Sequence, residues 1–129
     1  MIVVDCAAVV DALTGLKGCE ELRDCLAEEE LHAPALLDFE FVSALRGLTR
    51  AGRLSVARAQ DALTDFEDLP VHRWESGDAL RRRAFSLRDN LTAYDAAYVV
   101  LAEALECELV TRDARLARSG GHSVAITVR

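Results

Sequence analysis

The sequence predicts an α/β fold with a mainly parallel central sheet of about four to five strands flanked by helices. Short apolar runs, which are typical of buried strands, alternate along the chain with segments whose apolar residues recur at helical spacing. The connections between these segments are short, as is typical of a parallel sheet covered by helices. A chain of 129 residues without an evident repeat or linker suits a single domain spanning residues 1–129.

The first half of the chain is predicted to contain two strands and four helices. The opening apolar run ends at Asp5, where a helix start is indicated. The long helix that follows Pro34 stops at Gly52, and Ser55 is the expected N-cap of the next one. The predicted strands are residues 2–4 and 31–33, and the predicted helices are residues 7–13, 20–30, 35–50 and 55–69.

The second half is predicted to contain three strands and three helices. Thr92 is expected to open the most apolar helix, in which Asp95 is the first charged residue. The predicted strands are residues 71–74, 108–111 and 124–128. The predicted helices are residues 77–88, 95–106 and 114–118.

The composition predicts a soluble globular protein with a sizeable core. Hydrophobic residues make up 51% of the chain and charged residues 29%. No apolar run approaches the ~18–20 residues that span a bilayer, and the N-terminus lacks the basic and apolar regions of a secretory signal. We therefore expect a cytoplasmic protein with no membrane partner. The net charge of −7 argues against a wholly basic nucleic-acid-binding surface, but acids gathered at a metal site would remove that objection.

The cysteines and histidines show no metal-binding motif in the sequence. Cysteines 6, 19, 25 and 107 have no Cys-x-x-Cys spacing, and we interpret them as small, reduced, apolar side chains. His32, His72 and His122 are far apart in the sequence, and we interpret each as an ordinary residue without a metal-binding role.

Three aspartates fall where a parallel sheet places functional groups. Asp5 follows the first strand directly, Asp113 follows the strand at 108–111 by one residue, and Asp95 lies at the head of a helix. The carboxyl ends of parallel strands share one edge of the sheet, and helix N-termini gather there. We therefore expect these carboxylates to converge.

Glu40 is unusual because it lies inside a helix, in an apolar arc between Leu36, Leu37 and Ala44. No basic residue stands three or four positions away to pair with it. A carboxylate in such a position either reaches water or faces a cation. Asp11 is also oddly placed among apolar residues, and we interpret it as structural or supporting.

Helix capping is the main alternative explanation for the aspartates. Asp5 and Asp113 could simply cap the helices that follow them, and Thr92 with Asp95 approximates a capping box. Capping does not explain Glu40, however, and it does not predict three caps on one edge of a sheet. Convergent carboxylates repel one another unless a cation lies among them, and an all-oxygen donor set is the one that Mg²⁺ or Mn²⁺ prefers.

Four segments of the chain, taken together, resemble the PIN-domain family. They are IVVDCAA around Asp5, LLDFEFVSALR around Glu40, LTAYDAAYV around Asp95 and LVTRDARL around Asp113. The closest likeness is to the VapC-type toxins of bacterial toxin–antitoxin pairs, and it covers essentially the whole chain in order. The fold that the resemblance implies is a single PIN-like domain.

The resemblance also implies an activity. It indicates an endoribonuclease in which Asp5, Glu40, Asp95 and Asp113 bind Mg²⁺ or Mn²⁺, with Thr111 supporting the site. It further implies an RNA substrate, a small antitoxin that inhibits the enzyme, and a homodimer.

Two questions remain open at the level of the sequence. The first is the role of three groups of arginines, which either hold RNA phosphates or form solvated helix faces: residues 46, 50 and 53, residues 81–83, and residues 112, 115 and 118.

The second is the function itself. The main alternative function is a non-catalytic α/β protein-interaction module whose acids are only caps. A phosphoacceptor receiver domain is disfavoured because its lysine stands late in the chain, whereas the only lysine here is Lys17. A haloacid-dehalogenase-type phosphatase is disfavoured because Ala7 stands where it needs a second aspartate.

Overall fold

The computed structural model describes residues 1–15 and 18–129, so that Lys17 lies outside the described residues. In these residues five strands form one sheet in the order β3-β2-β1-β4-β5, and every neighbouring pair is parallel. The strands are β1 (Ile2–Val4), β2 (Leu31–Pro34), β3 (Val71–Trp74), β4 (Glu108–Thr111) and β5 (Ile126–Val128). The predicted α/β fold with a parallel sheet is confirmed.

Seven helices in the described ranges flank the sheet. They are α1 (Cys6–Thr14), α2 (Glu20–Glu28), α3 (Leu37–Arg50), α4 (Val56–Asp68), α5 (Asp78–Ser86), α6 (Ala93–Leu105) and α7 (Ala114–Ala117). The observed bounds differ from the predicted ones by at most two residues, and α3, for example, begins at Leu37 rather than Ala35. The Ala35 N–H donates to the carbonyl of Trp74 at 2.9 Å, so this part of the backbone continues the pairing of β2 with β3.

Two predicted caps determine where helices begin. The Ser55 hydroxyl accepts from the Arg58 N–H at 3.1 Å, and the Thr92 hydroxyl accepts from the Asp95 N–H at 3.2 Å. Each bond satisfies a backbone donor that the first turn of a helix would otherwise leave unpaired. The cap at Thr92 places Asp95 in the first turn of α6.

The centre of the core is the pair β1 and β4, aligned so that Val4 lies beside Val110. Both valines are fully buried, and α6 packs against β1, β2 and β4 while α1 packs against α2, α3 and α4. Burying a valine fully contributes roughly 1.5–3 kcal/mol. The backbone at the ends of β1 and β4, which the next residues of the chain continue, is therefore held firmly in the core.

No helix in the described parts of the chain is long and apolar enough to cross a bilayer. The four cysteines are free, Cys19 is buried, and the other three are partly buried.

Candidate active site

Asp5 and Thr111 meet at the carboxyl edge of the sheet. The Asp5 N–H donates to the Val110 carbonyl at 3.3 Å, which continues the pairing of β1 with β4. The Thr111 hydroxyl donates to Asp5 Oδ2, and the Ala8 N–H donates to Asp5 Oδ1 at 2.9 Å. Asp5 is therefore both the N-cap of α1 and a buried carboxylate held by Thr111. The two interpretations of Asp5 are compatible.

Thr111 also connects this carboxylate to Asp113. Its hydroxyl oxygen accepts from the Asp113 N–H at 2.9 Å while its hydrogen is directed at Asp5. The Asp113 carboxylate caps the short helix α7 through the Arg115 N–H at 2.9 Å and forms an ion pair with the Arg115 side chain at 3.1 Å. This neighbouring guanidinium lowers the pKa of Asp113. Asp113 is thus the one acid of the four that has a cationic partner in the described residues.

Glu40 lies in the first turn of α3 and is half-buried. The hydroxyl of Tyr98, a buried residue of α6, donates to Glu40 Oε1 at 2.6 Å. This short bond to a carboxylate joins α3 to α6, and bonds of this kind are stronger than those between neutral groups. Sequence reasoning missed Tyr98. The available signal was its position three residues after Asp95, which places the two side chains on neighbouring parts of one helix surface.

The four acids share one electrostatic environment. Burial raises the pKa of Asp5 from 3.8 to about 6, against the lowering effect of its hydrogen bonds, and the charges of Asp95 and Asp113 raise it further. Burial also raises the pKa of Glu40, and again the charge of Asp95 adds to the effect. Asp95 therefore influences both Asp5 and Glu40, which links residues from β1, α3 and α6.

The charges of two of these acids act on Cys6. Burial raises the pKa of its thiol to about 12, and the charges of Glu40 and Asp5 contribute to the increase. The thiol is therefore neutral at physiological pH, which is unfavourable for a cysteine nucleophile or thiolate ligand. The candidate donor atoms of the pocket are therefore its oxygen atoms.

The donor set fits a hard divalent cation. In the described part of the chain, Asp5, Glu40 and Asp95 have no lysine, arginine or histidine partner within ion-pair distance. Mutually repelling carboxylates with oxygen atoms as the only donors match the preference of Mg²⁺ and Mn²⁺. Among the described residues the four acids do not form a group whose ligand atoms all lie within 4.8 Å of one another.

Arg112 and Asp11 form an ion pair. Arg112 Nε donates to Asp11 Oδ2 at 3.0 Å, and its Nη1 donates to the Arg129 carbonyl at 2.6 Å. This ion pair fits the expected structural or supporting role of Asp11, and it engages Arg112 within the protein. Arg83, from another of the three arginine groups, is likewise paired with Glu103 at 2.7 Å. These two arginines favour a structural role over phosphate binding.

The histidines differ from the prediction. His32 and His72 are not isolated: their rings are stacked with centroids 4.8 Å apart. The sequence did not reveal this because the two residues belong to strands 40 positions apart that are brought into register by the sheet.

The family to which this fold belongs is known. A family model described as PIN domain matches residues 2–121, and the chain belongs to this family.

Within the family the chain is most informatively compared with ribonucleases named VapC. It is 44% identical to ribonuclease VapC9 of Mycobacterium tuberculosis over 128 residues, which cover 99% of this chain and 98% of the relative. The solved structure of PAE2754 from Pyrobaculum aerophilum superposes with a TM-score of 0.69 and 27% identity, over 97% of this chain and 81% of that one. A toxin–antitoxin complex from Klebsiella pneumoniae has the same fold, with a TM-score of 0.67 at 14% identity, over 98% of this chain and 96% of that one.

Proposed function

We propose that this protein is a metal-dependent endoribonuclease and the toxin component of a type II toxin–antitoxin system. The observation that carries the proposal is the buried Asp5 carboxylate, held by Thr111 and sharing its environment with Asp95 and Asp113 without a cationic partner of its own. The protein belongs to the PIN-domain family and is similar to VapC ribonucleases along nearly the whole chain, and both findings support the same activity.

In the proposed mechanism Asp5, Glu40 and Asp95 would hold Mg²⁺ or Mn²⁺, and Asp113, which is paired with Arg115, would be the fourth ligand. The ion would lower the pKa of water and neutralise charge on phosphate oxygens. Thr111 orients Asp5, and Tyr98 orients Glu40, so that both carboxylates keep fixed directions. Water attacks phosphorus in line and the 3′-oxygen leaves, which gives a 5′-phosphate and a 3′-hydroxyl.

The site predicts that RNA cleavage depends on the metal. We expect protein treated with a chelator to leave RNA intact, and added Mn²⁺ or Mg²⁺ to restore cleavage. A gel assay with a mixed cellular RNA substrate measures this, and end labelling identifies the 5′-phosphate. Equal rates with and without the metal would contradict the proposal.

The non-catalytic interaction module explains the caps but not the rest of the site. Asp5, Thr92 and Asp113 do cap helices, as that alternative requires. It gives no reason for Glu40 to be half-buried against Tyr98, nor for leaving Asp5 buried without a cation. A functional metal site accounts for both, and we therefore favour the nuclease.

We propose that an apolar segment of the antitoxin binds in the groove of about 690 Å³ between α1, α3 and the connection at residues 51–54 that follows α3. Apolar side chains line this groove, among them Val10, Leu48 and Leu54, and amphipathic helices commonly bind in such grooves. Cys6 lines the groove and directly follows Asp5 in the sequence. A basic residue of the bound segment would therefore reach the acidic pocket.

Gly47 offers a selective test of this groove. It lines the groove from α3, and a Cβ added to it meets nothing within 4 Å. Gly47→Leu should fill the groove, and it should not weaken the helix because glycine is the poorer helix former by about 1 kcal/mol. We expect antitoxin affinity to fall more than about tenfold, equivalent to about 1.4 kcal/mol, while RNA cleavage is retained.

The control for this test is Gln60→Leu, which places a leucine on an exposed position of α4 that does not line the groove. Calorimetry with the cognate antitoxin compares the two variants. If Gly47→Leu binds the antitoxin as tightly as the unaltered protein, the antitoxin does not bind in this groove.

We also propose a cytoplasmic homodimer. A second apolar groove of about 750 Å³ lies between the end of β3 and helices α5 and α6, beside the exposed Phe85. Exposed apolar surface of this kind is typical of protein interfaces. Sedimentation equilibrium should give twice the chain mass of 14.1 kDa, and a monomer at all concentrations would contradict the dimer.

A further inference from the structure

A second group of metal-ligating side chains lies away from the acidic pocket. His32 of β2 and His72 of β3 are partners in the parallel register, and their rings stack with an interplanar angle of 19°. Glu30, which directly precedes β2, places its Oε1 at 2.6 Å from Nε2 of His32. The ligand atoms of the three residues all lie within 4.8 Å of one another.

The acids of the active-site pocket do not belong to this cluster. Glu30 precedes β2 and His72 is the second residue of β3, so the cluster lies toward the amino ends of its strands. Asp5 and Thr111 stand where β1 and β4 end. The register pairs His32 with Val3, two residues before Asp5, but among the described residues only Glu30, His32 and His72 have ligand atoms that all lie within 4.8 Å of one another. The two groups of ligands are therefore treated as distinct sites.

We propose that Glu30, His32 and His72 form a binding site for a divalent transition metal of the zinc class. Two imidazoles and a carboxylate are a donor set that Zn²⁺ prefers, whereas Mg²⁺ prefers oxygen alone. His32 is buried, and Glu30 and His72 are exposed, so that one ligand is anchored and the other two are open to solvent. Three protein ligands leave a fourth position of a tetrahedral ion for water.

Trp74 determines the proton position on His32. The indole Nε1–H donates to His32 Nδ1 at 2.9 Å, so Nδ1 carries a lone pair and the neutral ring has its proton on Nε2, facing Glu30. A metal bound at Nε2 requires the lone pair there. The Nε2 proton must therefore leave and another must be taken up at Nδ1, with no net change in protonation, and the hydrogen bond from Trp74 is lost.

This coupling makes Trp74 a reporter of metal binding. It is the only tryptophan of the chain, and it belongs to the same strand as His72. Loss of its hydrogen bond changes the environment of the indole. Tryptophan fluorescence should therefore change on addition of Zn²⁺ and should not change on addition of Mg²⁺.

The test is a calorimetric titration of the full chain with Zn²⁺ in excess Mg²⁺, followed in parallel by tryptophan fluorescence. We expect one equivalent of Zn²⁺ to bind and the fluorescence change to saturate at the same equivalence. His72→Ala and Glu30→Gln should each weaken binding by more than about tenfold, the scale observed even for residues that only contact a metal ligand. Both residues are exposed, so these substitutions leave the core intact.

His122→Ala is the matched control, because His122 bonds to Ser119 and belongs to another part of the surface. Its affinity for Zn²⁺ should equal that of the unaltered protein. If His72→Ala binds Zn²⁺ as tightly as the unaltered protein, the ion is held by other groups, such as the free cysteines, and the proposed site is wrong. If the unaltered protein does not bind one equivalent of Zn²⁺ tightly, the proposed site is also wrong.

Discussion

Asp5→Asn should reduce metal-dependent RNA cleavage by roughly 10²–10³-fold or more, the loss observed when a principal electrostatic group is removed from an active site. Asparagine has the same shape as aspartate and can still accept from the Ala8 N–H, so the cap of α1 is preserved. The charge that would hold the cation is removed. Because such residues act as a unit, Asp5→Asn combined with Asp95→Asn should lose little more than either change alone.

Initial rates at saturating Mn²⁺ measure this loss. Asp61→Asn, an exposed aspartate on α4, is the matched control and should cleave at the unaltered rate. Retention of full activity by Asp5→Asn would remove this residue from the mechanism.

The same substitution should stabilise the metal-free protein at neutral pH. Burial raises the pKa of Asp5 from 3.8 to about 6, so the folded chain holds a proton between these pH values that the unfolded chain has released. The contribution of Asp5 to the free energy of unfolding therefore falls as the pH rises from about 4 to 6. Above that window its buried charge costs about 3 kcal/mol, at 1.36 kcal/mol for each pKa unit.

Urea denaturation in the presence of a chelator measures the effect. At pH 7.5 we expect Asp5→Asn to raise the free energy of unfolding by roughly 1–3 kcal/mol, and at pH 4 the difference should largely disappear. Asp61→Asn should change stability by less than about 0.5 kcal/mol at both values, as is usual for surface positions. Equal destabilisation by Asp5→Asn at both pH values would show that the ionised carboxylate is not costly in the fold.

This combination has a simple physical meaning. The carboxylate that contributes most to function opposes folding while no cation is bound. Active sites commonly carry such a cost, since the groups that bind a charged ligand tightly are poorly solvated without it.

The sheet could be predicted from the sequence because the local residue pattern of its strands is typical of buried β-strands. Residues 2–4 are a continuous apolar run, and in residues 108–111 an apolar and β-branched run follows Glu108; both segments are strands with those bounds. Parallel pairing then follows from the helices between them, and it brings Asp5 and Thr111 to one edge. Capping chemistry predicted the starts of α4 and α6 from Ser55 and Thr92, since a cap depends only on neighbouring residues.

Long-range side-chain pairs were less predictable. Tyr98 donates to Glu40 across 58 positions of sequence, and nothing local to either residue specifies that bond. Asp11 looked unusual in the sequence, but its partner Arg112 is 101 positions away. The stacking of His32 on His72 needed the register of β2 on β3, and a shift of one residue would have separated the two side chains to opposite faces.

The most direct test of the account is the binding of Mn²⁺, measured by the loss of the free-ion signal in electron paramagnetic resonance. The unaltered protein should bind Mn²⁺, and Asp5→Asn, Glu40→Gln and Asp95→Asn should each weaken that binding by more than about tenfold, or about 1.4 kcal/mol, although the three residues come from separate elements of the fold. Affinities unchanged by all three substitutions would show that these carboxylates do not share a cation.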